Sequence, residues 1–405
     1  MLESCVIKRF EEADILIGGE RPWDIRPTQG NLQRFCANVA LKNSLGLGES
    51  YMHGLIECDD VSLMLRKLVK HRHDRLVGRA PMMRNHWPSS LPEAWIKFQL
   101  RVLRRDAQSV AASAKSIGHH YDNGNGFYQR LLGKTGVYSC GFFEYEDDTL
   151  DQAQNNKIRR VAQKLDLVGP GKKRVLEIGC GWGYAAALIA EMNPHVTVVG
   201  ITISKEQYTH AVSTYEKLIR AGRVEFYLMD YRRLTERFLE PFDAVYSIGM
   251  FEHVGPRHYS EFARIVRSCI EHHRPFVLHT IVGNGGIDPF IWYHIFPGGI
   301  LPTVTQIAKA FGRYFEIEHG ENLGPHYALT LRAWRKNLRS AWGELLTLGH
   351  AKEFLRMYEF YLAACEAAFA ERQVHLWQFA FSVGGLPRGL PWNLPIPYSM
   401  PKQLD

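Results

Sequence analysis

The stretch Arg174-Val175-Leu176-Glu177-Ile178-Gly179-Cys180-Gly181-Trp182-Gly183 determines how this 405-residue chain folds. An apolar run with one acidic residue, followed by glycines at alternate positions, predicts a buried strand, a tight turn and a helix that begins near Tyr184. Glycines at such a turn let the backbone come close to a ligand. Because the spacing is Gly-x-Gly-x-Gly, the Gly-x-Gly-x-x-Gly pattern that binds dinucleotides is not met. A pyrophosphate is therefore not the favoured ligand.

Strands and helices alternate from residue 118 onward, which predicts a parallel, doubly wound α/β sheet. Seven strands are expected, at 174–178, 196–201, 224–228, 242–247, 276–280, 314–318 and 377–381. Ligands of such sheets bind beyond the carboxyl ends of the strands. We therefore expect the binding groups in the loops 179–183, 202–207, 230–231, 248–255 and 279–286.

The rest of the chain divides into three predicted parts. Residues 1–113 form a small, mostly helical domain, with a short β-meander over 14–25 and two helices, over 32–41 and 61–69, separated by the glycine-rich 44–54. Small residues over 111–118 form a linker to the domain 118–384. That domain carries helical insertions with apolar positions over 331–345 and 354–369. The proline-rich tail 385–405 is expected to be extended.

Composition limits the classes of protein that this chain can belong to. Hydrophobic residues make up 46% of it, which suits a sizeable core. No run reaches the roughly 18 apolar residues of a membrane span, and residues 1–10 lack the apolar core of a signal peptide, so a cytoplasmic protein is expected. The seven cysteines are scattered without a Cys-x-x-Cys pair, which predicts free thiols and no metal site.

Positive charge is concentrated in one segment. The whole chain carries a net charge of +7, whereas the segment 61–115 contains twelve Lys or Arg and three acidic residues. Such a segment suits an anionic membrane surface or a nucleic acid. A solvated helical face is the simpler alternative.

The loop after the second strand indicates which group of proteins the chain resembles. Class I methyltransferases usually end that strand in an acidic residue, but here neutral Thr202 and Gln207 occupy its place. Together with the strand and Glu177, this resembles the cyclopropane fatty acid synthases and the mycolic acid cyclopropane synthases. Further stretches agree in order: His119-His120-Tyr121-Asp122-Asn123-Gly124-Asn125, Tyr138-Ser139-Cys140, Asp230-Tyr231-Arg232, Phe251-Glu252-His253-Val254-Gly255, His279-Thr280 and Phe296-Pro297-Gly298-Gly299.

The resemblance extends to the first domain. Arg21-Pro22-Trp23-Asp24-Ile25 and 44–52 look like the accessory domain of bacterial phospholipid cyclopropane synthases. The sequence departs from the family pattern at Gly126 and Tyr184. These two differences affect the local shape expected for the acyl entrance and for the cofactor loop. We also expect the basic face of the first domain to bind an anionic phospholipid membrane surface peripherally, at the inner face of the cell membrane, and to help form a homodimer.

The resemblance also implies a fold, a reaction and its residues. The fold is that of a class I S-adenosylmethionine methyltransferase with a Rossmann-like seven-stranded sheet. A methylene unit passes from S-adenosylmethionine to the cis double bond of an unsaturated phospholipid acyl chain, through a carbocation that bound bicarbonate deprotonates. The implied bicarbonate residues are Cys140, Glu252, His279, Tyr327 and Cys365. The implied cofactor residues are Tyr138, Ser139, Glu177, Gly179, Gly181, Gly183, Thr202, Gln207, Asp230 and Tyr231.

Each of these residues also has an ordinary interpretation. Cys365 falls on the apolar face of a helix, His279 suits a core, and Glu252 could cap a helix that begins near Pro256. Aromatic residues at 142, 143, 145, 292 and 293 could line a dry site for cations, although core packing is the commoner role. Three other functions are compatible with parts of the sequence: a lipid C-methyltransferase, a catalytically silent lipid-binding protein and a nucleic-acid methyltransferase. The last lacks the Asp-Pro-Pro-Tyr or Asn-Pro-Pro-Tyr element that holds a flipped base, so no nucleic-acid partner is expected.

Overall fold

The computed structural model describes residues 2–77, 125–167, 171–284 and 286–390. The predicted linker 111–118, the histidine-rich loop 119–124, residues 78–115 of the basic segment and residues 391–405 of the tail lie outside this described part. Contacts divide the chain into two compact units. The N-terminal unit contains the described residues 2–77 together with Ile287–Pro297 and Leu331–Gln373, and the sheet unit contains the other described residues. The predicted domain boundary at 113–118 stays a prediction.

The sheet unit is built on seven strands. They are β3 (Lys173–Ile178), β4 (Val196–Thr202), β5 (Val224–Leu228), β6 (Ala244–Ile248), β7 (Pro275–Val282), β8 (Glu316–Asn322) and β9 (His375–Ser382). Their order is β5-β4-β3-β6-β7-β9-β8. The predicted seven-stranded α/β sheet is therefore confirmed, and the strand order reverses between β3 and β6.

One strand runs against the prediction of a parallel sheet. β9 lies between β7 and β8 and is antiparallel to both. The pattern of apolar residues shows that a strand is buried, but the same pattern suits either direction, and sheets of this class often carry an antiparallel strand near one edge. The sheet is therefore mixed.

The two faces of the sheet are covered by helices. Because side chains alternate along a strand, Val175 packs into the core on one face and Leu176 into the core on the other. Helix Leu150–Lys164 begins with a capping box in which Thr149 and Gln152 bond reciprocally. The other helices of this unit are Asn125–Leu132, Tyr184–Met192, Lys205–Thr214, Glu216–Arg220, Leu234–Arg237, Tyr259–Ser268, Val304–Phe311 and the part of Gly324–Ser340 before Leu331.

The N-terminal unit is mostly helical, as expected. Its helices are Leu2–Glu12, Leu32–Lys42, Ser44–Met52, Val61–Val77, Pro289–His294, the part of Gly324–Ser340 from Leu331 onward, Trp342–Thr347 and Lys352–Ala370. The strand β1 (Arg26–Pro27) pairs with β2 (Ile56–Glu57). The interpretation of 44–54 as a glycine-rich separator is wrong, because Ser44–Met52 is a helix. A Cβ atom at Gly46 would lie 2.0 Å from the backbone oxygen of Asn38, and one at Gly48 would lie 2.3 Å from the Phe290 ring. These glycines therefore allow close packing.

The β-meander predicted over 14–25 is also wrong. The only strand-like contact there among the described residues is a single bridge between Ile17 and Ile25. The fully buried carboxylate of Asp24 instead organises a loop, since it accepts hydrogen bonds from the backbone N–H groups of Leu16 (2.8 Å) and Arg21 (3.0 Å). Side-chain bonding of this kind replaces a strand ladder.

A buried arginine ties the helix Lys352–Ala370 to the first residues of the same unit. The guanidinium of Arg356 donates to the backbone oxygens of Tyr51 (2.6 Å) and Ile56 (2.9 Å) and to the carboxylate of Glu57 (2.9 Å). The hydroxyl of Tyr51 donates to Glu359 of that helix at 2.6 Å. Residues 331–373 thus complete the N-terminal unit.

We expect Gly183→Ala to destabilise the sheet unit by about 3 kcal/mol. Gly183 precedes the helix Tyr184–Met192 with φ +89°, and a Cβ there would lie 2.8 Å from Phe226 and 3.0 Å from Ala211. Gly222→Ala is the matched control, because its φ is +66° but no atom lies within 4 Å of the added Cβ. Urea unfolding followed by circular dichroism measures the free energy of unfolding of both variants. Equal decreases in the two variants would contradict the packing role of Gly183.

Candidate active site

A cleft opens at the carboxyl ends of β3, β4 and β6, where the strand order reverses. This is the position at which doubly wound sheets bind their ligands. The lining comes from strand ends, loops and helices of the sheet unit. It consists of 136–139, Lys157, 177–182, Tyr184, Ala185, 201–203, Gln207, 229–232, 248–250, His253 and Val254.

Every predicted cofactor residue except Gly183 lines this cleft. The structure therefore brings together Tyr138, Ser139, Glu177, Gly179, Gly181, Thr202, Gln207, Asp230 and Tyr231. Gly183 instead packs against Phe226 and Ala211, so close packing explains why this position is a glycine. Tyr184, one of the two departures from the family pattern, lines the cleft, and its hydroxyl donates to Asn155 at 2.7 Å.

Polar groups in the cleft are held by their own neighbours. The hydroxyl of Thr202 donates to Gln207 Oε1 at 2.8 Å, so the two neutral residues after β4 act as a pair. The carboxylate of Asp230 accepts from the backbone N–H of Arg232 at 2.9 Å and from its guanidinium at 3.1 Å. These residues offer hydroxyl, amide and carboxylate groups, which suits a ligand with sugar hydroxyls and an amino-substituted base.

Sequence reasoning missed Lys157, which lies at the inner wall of the cleft. It is fully buried and its ammonium donates to Ser139 Oγ at 3.0 Å. Burial lowers the pKa of Lys157 to about 8 and raises that of Glu177 to about 8. The signal was in the sequence, because Lys157 and Lys164 lie seven residues apart and so share one helical stripe with apolar Val161.

Two aromatic rings of the lining, Tyr138 and Trp182, pack against Tyr128, which lies outside the lining. The ring of Tyr128 lies 5.7 Å from Tyr138 and 5.4 Å from Trp182. Phe142 and Phe143 are buried and Tyr145 is 63% exposed, and none of the three lines the cleft. His253 lines the cleft from the predicted loop 248–255, whereas Arg232, which also lines it, follows the predicted 230–231.

Two buried groups near the end of β7 are incompletely bonded. Glu252 lies in the 3-10 helix Phe251–His253, and its Oε1 accepts from the backbone N–H of Ile281 at 2.6 Å. His279 is fully buried on β7, and its Nδ1 contacts Gln378 Nε2 at 3.2 Å. Glu252 Oε2 and His279 Nε2 have no hydrogen-bond partner among the described residues. Buried polar atoms without partners are rare, and a bound anion with a hydroxyl group would satisfy both.

Burial also sets the charge state of these groups. It raises the pKa of Glu252 to about 7 and lowers that of His279 well below its ordinary value. His279 is therefore neutral near pH 7. The alternative in which Glu252 caps the next helix is wrong, because that helix begins at Tyr259 and His258 precedes it.

Two further predicted anion residues belong to the same unit. Cys140 is fully buried, with Sγ 3.1 Å from the oxygen of Gly141 and 3.8 Å from that of Leu323. The N–H of Gly141 donates to Thr330 Oγ1 at 3.0 Å, on the helix that also carries the buried Tyr327. Burial raises the pKa of Cys140, so it is a neutral thiol.

Cys365 lies in the helix Lys352–Ala370 and therefore belongs to the N-terminal unit. Its side chain is partly buried, and burial raises its pKa. The structure thus groups Cys140, Glu252, His279 and Tyr327 in one unit and assigns Cys365 to the other.

Comparison with known proteins identifies the family. Residues 108–379 match the sequence model of the family described as mycolic acid cyclopropane synthetase. The chain belongs to this family. The predicted family and the predicted enzyme class, an S-adenosylmethionine-dependent methyltransferase, are confirmed.

Three relatives of this chain differ in how much of it they cover. Cyclopropane-fatty-acyl-phospholipid synthase of Escherichia coli (strain K12) is 38% identical over 380 residues, which are 93% of this chain and 92% of the relative. A probable fatty acid methyltransferase of Pseudomonas putida is 33% identical over 284 residues, which are 68% of this chain and 70% of that protein. The crystal structure of mycolic acid cyclopropane synthase CmaA1 complexed with SAH and CTAB aligns with a TM-score of 0.61 at 30% identity, covering 66% of this chain and 98% of that one. Within the described ranges, no helix combines the length and the apolar character that crossing a bilayer requires.

We expect Glu252→Gln to change how stability depends on pH. The pKa of Glu252 in the folded chain, about 7, exceeds its ordinary 4.5, so its contribution is complete below about 4.5 and is lost as the pH rises through 7. Relative to the variant, the wild type should lose about 2 kcal/mol between pH 5 and pH 8. Denaturant unfolding at both pH values measures this difference. Glu236→Gln, at a residue whose side chain is 63% exposed, is the control, and equal pH profiles for both variants would contradict the expectation.

Proposed function

We propose that this enzyme transfers a methylene unit from S-adenosylmethionine to the cis double bond of unsaturated phospholipid acyl chains and so forms cyclopropane fatty acids. Bound bicarbonate takes up the proton that is lost as the ring closes. The observation that carries the proposal is the pair of incompletely bonded buried atoms, Glu252 Oε2 and His279 Nε2, in the same unit as the cofactor cleft. A methyl transfer to oxygen or nitrogen would not need a second, anion-binding site.

The residues of the cleft divide the work of holding the cofactor. When bound, S-adenosylmethionine supplies an electrophilic methyl group on a sulfonium. Thr202 and Gln207 would hold the ribose hydroxyls, and Asp230 would accept from the adenine amino group. Tyr138 and Ser139 would bind the methionine end, where Lys157 adds a positive charge next to Ser139 Oγ. The ring of Trp182, which packs against Tyr128, would keep this wall apolar and so exclude water from a reactive cation.

The anion site has a complementary set of groups. Bicarbonate, when bound, supplies a weak base, which is enough because a carbocation is strongly acidic. Glu252 Oε2 would accept the bicarbonate hydroxyl proton, and Tyr327 and the neutral His279 would donate to its oxygens. Cys140 adds a neutral thiol to this set within the sheet unit. Neutral donors are suitable here because they bind an anion without protonating it.

The share of this chain that aligns with each relative supports phospholipid as the substrate. The family match begins at residue 108, and the mycolic acid enzyme covers 66% of this chain. The alignment with the Escherichia coli enzyme covers 93%, so it extends well into the N-terminal unit. The mycolic acid enzyme thus leaves uncovered a part of this chain that the Escherichia coli enzyme covers, and the Escherichia coli enzyme is the one named for phospholipid.

A lipid C-methyltransferase is the second candidate. The relative from Pseudomonas putida is named a probable fatty acid methyltransferase, and it favours this reading. Both reactions begin with the same cation, and they differ in which proton is lost. A base held firmly near the transferred methyl favours ring closure, because placement decides which proton it reaches.

Incubating the purified protein with S-adenosylmethionine and vesicles of cis-monounsaturated phospholipid tests both candidates. We expect acyl chains heavier by one CH₂ with upfield cyclopropane protons in the proton NMR spectrum. Removing carbon dioxide from the buffer should slow the reaction about a hundredfold, and added bicarbonate should restore it. Vinylic or branched-methyl signals at the same mass would favour the second candidate, and a rate indifferent to bicarbonate would contradict the proposed base.

We propose further that the basic segment 61–115 binds the anionic inner face of the cell membrane and that the enzyme is a peripheral homodimer there. Part of its charge is already neutralised, since Arg66 pairs with Glu371 at 3.1 Å and Lys67 with Asp14 at 2.6 Å. Lys67 also lies 4.8 Å from the Trp23 ring centre. Lys70 is exposed, and the segment's side chains from Arg72 onward lie outside the described part.

Vesicle sedimentation at increasing salt tests this membrane proposal. Replacing Lys97, Arg101, Arg104 and Arg105 by Gln should weaken binding to anionic vesicles at least tenfold, because each cation near an anionic surface contributes about 1 kcal/mol. Arg220→Gln, at a residue already paired with Glu216, should change binding little. Binding that is insensitive to salt and to anionic lipid content would overturn the electrostatic part of the proposal.

A further inference from the structure

Three neighbouring strands carry a row of polar side chains across the sheet unit. In the register of the sheet, Gln378 on β9 lies opposite His279 on β7 and opposite Glu321 on β8. Residues directly opposite each other in antiparallel strands place their side chains on the same face. Gln378 and His279 are fully buried, as is Lys164 of the helix Leu150–Lys164. The row is therefore part of the interior.

These side chains form one chain of hydrogen bonds. Arg160 Nε donates to Glu321 Oε1 at 2.7 Å, and Lys164 Nζ donates to both Glu321 and Gln378 Oε1. Gln378 Nε2 contacts His279 Nδ1 at 3.2 Å. Burial lowers the pKa of Lys164 to about 8, so it is still an ammonium at pH 7. Burial opposes the ionisation of Glu321, but the hydrogen bond from Arg160 and the charges of Lys164 and Arg160 outweigh it and lower its pKa.

The chemistry of the donors fixes the orientation of the amide. An ammonium has donors and no acceptor, so the atom of Gln378 that faces Lys164 must be the carbonyl oxygen. The amide NH₂ then faces His279, and an NH₂ group only donates. Nδ1 of His279 must therefore be the acceptor, which leaves the ring hydrogen on Nε2. Lys164 therefore determines the tautomer of His279 through two hydrogen bonds, one from Lys164 to Gln378 and one from Gln378 to His279.

We propose that Gln378 and Lys164 are positioning residues that hold His279 in its Nε2–H tautomer, so that the ring donates to the anion that accepts the proton. This inference rests on the proposed function, because the anion is the bicarbonate proposed there. The unpartnered Nε2 of His279 is the atom that carries the donor. With the hydrogen on Nδ1 instead, Nε2 would present a lone pair to the anion and repel it.

The place of β9 between β7 and β8 suits this row of side chains. A glutamine at the centre of a row needs a polar neighbour on each side, and β9 lies between the strand of His279 and the strand of Glu321. Lys164 reaches the row from the covering helix and bonds to two of its members. Each buried polar group in the row except His279 Nε2 thus has a partner, which is the requirement for a stable buried network.

Nitrogen-15 NMR of the protein labelled selectively at histidine tests the inference without substrate or cofactor. The His279 signals are assigned by their loss in His279→Gln. We expect the wild type to show a protonated Nε2 and an unprotonated Nδ1 near pH 7. Gln378→Met and Lys164→Met should each bring in the Nδ1–H tautomer, the first by removing the donor and the second by letting the amide rotate. Gln373→Met is the matched control and should leave the signals unchanged, since its amide donates elsewhere, to Val69.

Kinetics supply the second readout. Gln378→Met should raise the half-saturating bicarbonate concentration about tenfold or more, with the KM for S-adenosylmethionine nearly unchanged. A wild-type Nδ1–H tautomer would overturn the inference, and so would an unchanged bicarbonate requirement in Gln378→Met. If the wild type made no cyclopropane, the proposed function would fail, but the tautomer signals would still decide whether Gln378 orients His279. Should Gln378→Met not fold, the wild-type spectrum and Lys164→Met decide the outcome.

Discussion

The pairing of β3 with β4 on one side and β6 on the other constrains everything that follows in this enzyme. Parallel strands end at the same edge, and the connections on the two sides of β3 cross opposite faces of the sheet, so a cleft opens between the loops. The glycines of the turn after β3 present no side chain to that cleft. Thr202 lines it from the last position of β4, and Asp230 and Met250 line it from the loops after β5 and β6.

Beneath the cleft, the interior is unusually polar. Lys157, Lys164, Glu177 and His279 are all at least 98% buried, and the transfer of such groups from water is costly unless they are bonded. Most of the cost is offset by pairs such as Lys164 with Glu321. Removing one member of a buried pair usually costs more than the pair contributes. The helix Leu150–Lys164 therefore supports the sheet and the site together.

Much of the fold could be predicted from sequence because it depends on local pattern. The apolar strand before Gly179 and the alternation of elements predicted the sheet, and the family motifs predicted the residues of the cleft. The direction of β9 could not be predicted, because a buried strand has the same pattern in either direction. The helix Ser44–Met52 was missed because a glycine that permits close packing has the same letter as one that forms a turn.

The burial of charged residues was the main gap in the predicted site. No motif marks Lys157 or Gln378 as a residue of the site. A lysine on a helix is usually solvated, and a glutamine in a strand usually has no special role. Their roles depend on which elements pack against them. The residues identified from sequence were those at the carboxyl ends of strands, such as Thr202 and Asp230, and those in stretches that resemble the family, such as Tyr138-Ser139-Cys140.

The route of the chain has a consequence for how the protein folds. Between β8 and β9 the chain contributes residues 331–373 to the N-terminal unit, and only afterwards does β9 enter the sheet, where Pro275 pairs with Ser382. Contacts between residues so far apart in sequence form slowly, because the intervening chain must be ordered first. The strand that carries Gln378 is thus made only after residues 331–373, and His279 has no amide to orient it until β9 has emerged from the ribosome and paired with β7.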